Sequence, residues 1–231
     1  MRQFFTPDID LTAESYNFNE IESKHIAKVL RKKVGDTLHI TNGKGKIITA
    51  KLRLVSPKSC IVNVLEIKDI PAPKTSIHMI VAPTKNIRRF ELFLEKATEL
   101  GVSKITPVLC DRSERKQIKH ERCQKIIHTA VKQSLRAYAP ILDPIIPLKK
   151  IVVQGKAFMA HCEDSSKESL KDVIHGQTNC SILIGPEGDF SKTEIKWAGE
   201  QNIKAVHLGD NRLRTETAAL VALHTALLMN Q

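Results

Sequence analysis

Leu183-Ile184-Gly185-Pro186-Glu187-Gly188-Asp189-Phe190-Ser191 and, a little further on, Leu208-Gly209-Asp210-Asn211-Arg212-Leu213-Arg214-Thr215-Glu216-Thr217-Ala218 decide how this chain is read. In each, an apolar run with the character of a buried strand stops at glycine, crosses a polar loop and re-enters a helical pattern. Two strand-to-helix switches therefore lie close together in sequence. In open α/β sheets ligands gather at the carboxyl ends of strands, where glycine lets backbone amides approach closely and helix N-termini offer unpaired donors. The expectation is a small polar ligand gripped largely by main chain.

Outward from these stretches the pattern alternates. Strands are expected at 77–82, 105–109, 157–161, 181–184 and 205–208. Helices are expected at 87–100, from a basic segment to about Ala137, at 169–174, at 191–201 and at 218–229. Alternation of this kind implies an α/β domain with a largely parallel sheet. Phe90, Phe93, Leu94, Ala97 and Leu100 recur three and four apart, and Gly101 is a natural stop. Nearer the start, Ile21, Ile26, Val29 and Leu30 fall on one helical face, and 37–41, 46–54 and 60–67 look like successive strands. Asn42-Gly43-Lys44-Gly45 would join the first two as a hairpin. Asp69-Ile70-Pro71-Ala72-Pro73-Lys74 interrupts both periodicities as a stiff linker, which sets the expected domains at 1–70 and 75–231. The last helix is broken on its apolar run only by His224 and Thr225, so it must be covered on most sides. A central core helix and a homodimer interface both satisfy that demand.

The chain carries 36 Lys and Arg against 25 Asp and Glu, a formal net charge of +11. That balance favours a polyanion such as nucleic acid, with an acidic membrane surface as the competing reading. No apolar stretch approaches the roughly 20 residues that span a bilayer, and Met1-Arg2-Gln3-Phe4-Phe5-Thr6-Pro7 lacks a signal-peptide core, so a cytoplasmic location without membrane contact is expected. Cys60, Cys110, Cys123, Cys162 and Cys180 form no Cys-x-x-Cys pair, and the nine histidines show no ligand spacing, so no metal is expected. A Walker loop, a complete dinucleotide fingerprint and a nucleophile elbow are also missing.

Several residues stand out chemically. Ser191-Lys192-Thr193-Glu194 fits a capping box and reads as structural. Glu187, between two loop glycines, contributes nothing to a core. Arg212 and Arg214 precede a helix N-terminus, where positive charge opposes the dipole, so they read as facing a phosphate or a ligand carboxylate. Thr215 or Thr217 would cap that helix. Between Lys104 and Lys125, Lys104, Arg112, Arg115, Lys116, Lys119, Arg122 and Lys125 outweigh Asp111, Glu114 and Glu121. The default there is a solvated face, and the sharper reading is a phosphate-contacting rim.

The chain resembles the 16S ribosomal RNA uridine N3-methyltransferase family, in the SPOUT class of AdoMet-dependent RNA methyltransferases, over nearly its whole length. The matching pieces are His25-Ile26-Ala27-Lys28-Val29-Leu30-Arg31 with Gly35-Asp36, Lys96-Ala97-Thr98-Glu99-Leu100-Gly101-Val102, the Gln133-Ser134 to Arg136 stretch, Ile184-Gly185-Pro186-Glu187-Gly188, and Leu213-Arg214-Thr215-Glu216-Thr217-Ala218. The last two together are highly specific. Two positions depart from the family pattern: Asp189, where many members carry a second glycine, and Lys132-Gln133, where they carry Glu-Gln.

The resemblance implies a small N-terminal PUA-like β-barrel that holds RNA, and an α/β domain ending in a trefoil knot, an exception to the rule that chains do not thread loops. It also implies S-adenosyl-L-methionine as cofactor, 16S RNA or the 30S subunit as partner, and a homodimer through the knot region. The expected reaction is methyl transfer to N3 of an exposed uridine, carried by positioning and by deprotonation of the imide. The expected AdoMet residues are Leu183, Gly185, Glu187, Gly188, Leu208, Gly209, Leu213, Thr215, Thr217 and Ala218. Arg136 or Arg214 would stabilise the developing uracil anion, with Glu187 or Glu216 as proton acceptor or orienter. Arg2, Arg31, Lys85, Arg112, Arg115 and Lys116 would contact RNA. The alternatives are another SPOUT activity, on ribose 2′-oxygen or transfer RNA, and a non-catalytic ribosome-assembly factor.

Overall fold

The computed structural model describes residues 3–230, and the chain divides into two compact units. The first comprises Met1–Ala72 with Val131–Ala139, and the second Pro73–Ala130 with Pro140–Gln231.

The first unit contains β1 (Gln3–Phe5), β2 (Ser15–Phe18), α1 (Glu20–Lys24), β3 (Thr37–Thr41), β4 (Lys46–Val55) and β5 (Cys60–Asp69). They form one sheet in the order β1-β3-β4-β5-β2, antiparallel except for β1 beside β3. Alternation along β3 and β4 turns Leu38, Ile40, Ile48, Ala50 and Leu52 inward, onto Phe4, Phe18, Cys60 and Val62. Register shifts at Thr49/Ala50 and Leu52/Leu54 bend β4, as β-bulges do. The β3–β4 hairpin is the expected one. Asn42 Oδ1 accepts from the backbone N–H of Lys44 (2.8 Å) and of Lys46 (3.1 Å).

The expected helical face over 21–30 is only partly realised. Ile26 is buried, whereas Ile21 and Val29 are exposed. A π-helical turn over His25–Val29 follows α1 and breaks the 3.6-residue phase on which that face was read. Val131–Ala139 is tied to this unit at Gly43 and Gly45: Gly45 N–H donates to Ala137 C=O (2.9 Å) and Ala139 N–H to Gly43 C=O (2.9 Å). Tyr138 Oη donates to Ile70 C=O (2.8 Å).

The second unit holds β6 (Ser76–Val81), α2 (Ile87–Leu100), β7 (Lys104–Leu109), most of α3 (His120–Gln133), β8 (Ile141–Leu142), β9 (Ile146–Pro147), β10 (Lys156–Ala160), β11 (Glu168–Ser169), α4 (Leu170–Val173), β12 (Asn179–Ile184), α5 (Lys192–Glu200), β13 (Lys204–His207) and α6 (Thr215–Leu228). The sheet order is β11-β13-β10-β12-β6-β7-β8, with β9 also on β7, and every described pair is parallel. Helices cover both faces of such a sheet, which is why β6 and β12 are continuous apolar runs. Helix α2 starts where Asn86 Oδ1 accepts from Arg88 N–H (3.1 Å) and ends at Gly101, φ 107°, as its pattern requires.

Helix α3 ends at Gln133 rather than near Ala137, because Leu135 takes a left-handed φ of 56°. Helix α6 starts at Thr215, and Arg214, not Thr215 or Thr217, is its N-cap residue, with extended backbone and no capping side chain. Its Ala219, Ala222, Leu223 and Ala226 are buried, and it packs on α2, α4, β6 and β12. After β12 the chain therefore crosses to β13, on the far side of β10, and doubles back beneath β12 and β6. The resemblance's knot needs a return of that kind.

Candidate active site

Ala160 of β10 stands in register with Ile184 of β12 on one side and Val206 of β13 on the other. All three strands point the same way, so the loops that follow them leave from one edge of the sheet. These loops and the start of α6 enclose an open cleft of about 870 Å³, within the size range of small-molecule sites.

Its floor is apolar, from Ala160, Ile184, Val206, Leu208 and Ala218, and charged side chains line its rim. Gly209 has φ 114°, open in practice only to glycine, and its N–H donates to His207 Nδ1 (3.2 Å). A Cβ on Gly185 would press within 3.1 Å of the Phe190 ring. With no capping side chain on α6, the first N–H groups of that helix are available at the cleft wall.

The loop after β12 is held from several directions. Glu187 Oε1 accepts from Lys85 N–H (2.9 Å), and Arg112 Nη1 donates to the carbonyls of Gly188 (2.9 Å) and Phe190 (3.3 Å). Asp189 Oδ2 accepts from Cys162 N–H (2.7 Å). The expected capping box is present: Glu194 N–H donates to Ser191 Oγ (3.2 Å), and Ser191 N–H to Glu194 Oε2 (2.8 Å).

Of the residues expected to hold the cofactor, Gly185, Glu187, Gly188, Leu208, Gly209, Leu213, Thr215 and Ala218 line the cleft. Leu183 does not. It is fully buried in the core with Ile80, Met159 and Phe190. Thr217 is exposed and lies off the wall. Arg214 lines the cleft beside Arg212. Glu216 is buried. Its Oε1 lies 3.7 Å from Arg89 Nε and its Oε2 has no hydrogen-bond partner. Arg136 belongs to the first unit, where its carbonyl accepts from Gln3 Nε2 (2.9 Å) and burial lowers its guanidinium pKa.

Among the residues expected on RNA, Arg2 lies outside the described residues. Arg31 (φ 50°), Lys85 and Lys116 are exposed, and Lys85 Nζ pairs with Glu114 (2.7 Å). Arg112 and Arg115 do internal work: Arg115 Nε donates to Thr84 C=O (3.0 Å) and its Nη2 to Lys85 C=O (2.6 Å). The sequence reading missed the third wall, His161 to Asp164 with Lys167. Its signal was a polar run directly after a strand, the same signal that marked the other two loops.

No group of three or more metal-ligating side chains occurs among the described residues, and no described helix is long and apolar enough to cross a membrane. Cys60, Cys110, Cys123 and Cys180 are buried and unbridged. Burial raises the Cys110 thiol pKa and pushes that of Cys180 up to about 12, so both stay protonated.

A family of RNA methyltransferase domains matches residues 71–227, and a family of RNA methyltransferase PUA domains matches 18–65. Ribosomal RNA small subunit methyltransferase E of Rickettsia conorii is 30% identical over 88% of this chain and 87% of its own length. A probable rRNA-methyltransferase from Porphyromonas gingivalis has a TM-score of 0.92 at 34% identity, covering 100% of this chain and 98% of that one. Ribosomal RNA small subunit methyltransferase E of Neisseria gonorrhoeae, solved bound to S-adenosyl methionine, has a TM-score of 0.88 at 28% identity over 100% of this chain and 98% of its own. The architecture is accordingly SPOUT-type α/β with an N-terminal PUA-like domain. The chain belongs to the RNA methyltransferase family that includes the ribosomal RNA small subunit methyltransferase E proteins.

Proposed function

We propose that this protein transfers a methyl group from S-adenosyl-L-methionine to N3 of one uridine in the 16S RNA of the small ribosomal subunit, in the cytoplasm and as a homodimer. The observation that carries the reading is the cleft at the carboxyl ends of β10, β12 and β13, glycine-lined and apolar-floored, in a chain of this family. The residues present fit the cofactor. Leu208, Leu213 and Ala218 offer apolar surface to a flat purine, and Gly185, Gly188 and Gly209 open main chain to close approach. Two wall features, the uncapped α6 N-terminus and a buried His161 Nε2 with no partner, supply hydrogen-bonding capacity that the protein leaves unused.

When bound, S-adenosyl-L-methionine supplies a methyl group already activated by its sulfonium. The chain's own residues then orient the uracil and handle its imide proton. Arg214, exposed at the cleft, stabilises negative charge spreading onto the uracil oxygens, and Arg136 is the second candidate for that role. Glu187, fixed through one oxygen by Lys85 N–H, keeps its other oxygen to accept the N3 proton. Glu216 orients the start of α6 with Arg89. The PUA-like unit with Arg31, and Lys85 and Lys116 in the second unit, hold RNA by charge. Exposed Leu92, Val221 and Leu228 on α2 and α6 support pairing of two copies there.

Tritiated S-adenosyl-L-methionine incubated with unmodified 30S particles and with free 16S RNA tests the reading. Mass spectrometry is expected to place the label on N3 of a single uridine. Label on a ribose 2′-oxygen, or none in either substrate, overturns it.

A further inference from the structure

Asp189 is a non-glycine residue with φ 61°, in the left-handed region, at the tip of the loop after β12. Its N–H closes a turn onto Pro186 C=O (2.9 Å). Glycine would hold that backbone without strain, so the side chain must offset what the conformation costs. Both of its carboxylate oxygens are engaged. Oδ1 accepts from Phe190 N–H and Oδ2 from Cys162 N–H, each at 2.7 Å. Bonds to an ionised acceptor at this length are of the strong, charge-assisted kind.

The second bond joins two separate walls of the cleft. Cys162 follows the end of β10, Asp189 follows β12, and both residues line the cavity. Lys167 secures the same Cys162 segment from its far end, donating to the carbonyls of His161 (2.9 Å) and Glu163 (2.5 Å). The segment 161–167 is thereby fastened at both ends, once to itself and once to the loop after β12.

We infer that Asp189 is a positioning residue for the methyl donor, setting the separation of the two walls through Cys162 N–H. The inference rests on the cofactor reading above. Preorganised walls bind more tightly because less ordering is left to do on binding, so the effect of the tie falls on affinity. Glycine adopts φ 61° without strain, so Asp189→Gly removes the tie while relieving the backbone.

The test measures S-adenosyl-L-methionine and S-adenosylhomocysteine affinity by calorimetry, melting temperature, and hydrogen exchange at the Cys162 amide. Asp189→Gly is expected to keep or raise the melting temperature, to speed exchange at Cys162 but not at Ala160, and to weaken both ligands about tenfold. In turnover the loss falls on the KM for the donor more than on kcat. Asp189→Asn keeps one acceptor and tolerates the left-handed backbone, so it recovers most of the affinity. An Asp189→Gly protein that binds as tightly as the wild type overturns the inference, as does unchanged exchange at Cys162. A wild-type protein that binds neither ligand overturns the cofactor reading instead.

Discussion

Arg112, Arg115 and Arg214 were equivalent by charge, and the fold gives them different work. Arg112 and Arg115 spend their guanidinium groups on main-chain carbonyls far away in sequence, Arg112 doing so from the cleft wall, while Arg214 lines the cleft as the N-cap residue of α6. Sequence separation hides such partners, so no local pattern distinguishes an anion-binding arginine from a loop tie. Arg214→Ala is expected to lower kcat about 100-fold, with S-adenosyl-L-methionine affinity near the wild-type value by calorimetry. His78 shows the same limit in the core. It reads as one more strand residue, yet its Nε2 donates to Thr106 Oγ1 (2.7 Å), which donates on to Asp143 Oδ2 (2.5 Å), itself paired with Lys104 (3.0 Å). Burial first, and then the Lys104 charge, lowers the imidazole pKa from 6.5 to about 4, against the opposing pull of Asp143. The folded state thus takes up its proton later than the unfolded chain as pH falls. The associated stability is complete above pH 6.5 and drains away toward pH 4, on the order of 3 kcal/mol in all. Denaturant titrations of His78→Gln should show a flatter loss over that interval than the wild type.

Elements were most legible where the chain carries its own start and stop signals. Helix α2 lies between Asn86 and Gly101, and α5 begins at a capping box read directly from Ser191 and Glu194. Both depend on contacts two to four residues apart. Ser191 also donates to Asp111 Oδ2 (2.5 Å), and Glu194 Oε1 accepts from Asp111 N–H (2.8 Å), so the cap also anchors the segment after β7. Ser191→Ala should therefore cost more than an isolated cap, about 1 to 2 kcal/mol in chemical denaturation. The π-helical turn after α1 had no such signal. Periodicity assumes a constant 3.6-residue phase, and Ile21 and Val29, apolar but exposed, show where that assumption failed.

At the scale of the whole molecule, α6 sums up the interplay of pattern and packing. A helix apolar on nearly every side announces burial, and its alanines do meet β6, β12, α2 and α4. It still leaves Val221 and Leu228 exposed. The proposed homodimer predicts that sedimentation gives twice the 25.9 kDa chain mass for the wild type and a monomer for Val221→Glu/Leu228→Glu, with methylation lost in the monomer. By itself the sequence determined the α/β class, two of the loops that line the cleft and the basic charge, because glycine breaks, hydrophobic period and net charge are local or additive properties of a chain. Only the tertiary structure decided that Val131–Ala139 belongs with the first unit, that the loop after β10 forms the third wall of the cleft, and that Leu183 is buried in the core rather than on the cleft. Those facts depend on which strands lie side by side, and parallel neighbours are chosen by packing among residues far apart in sequence.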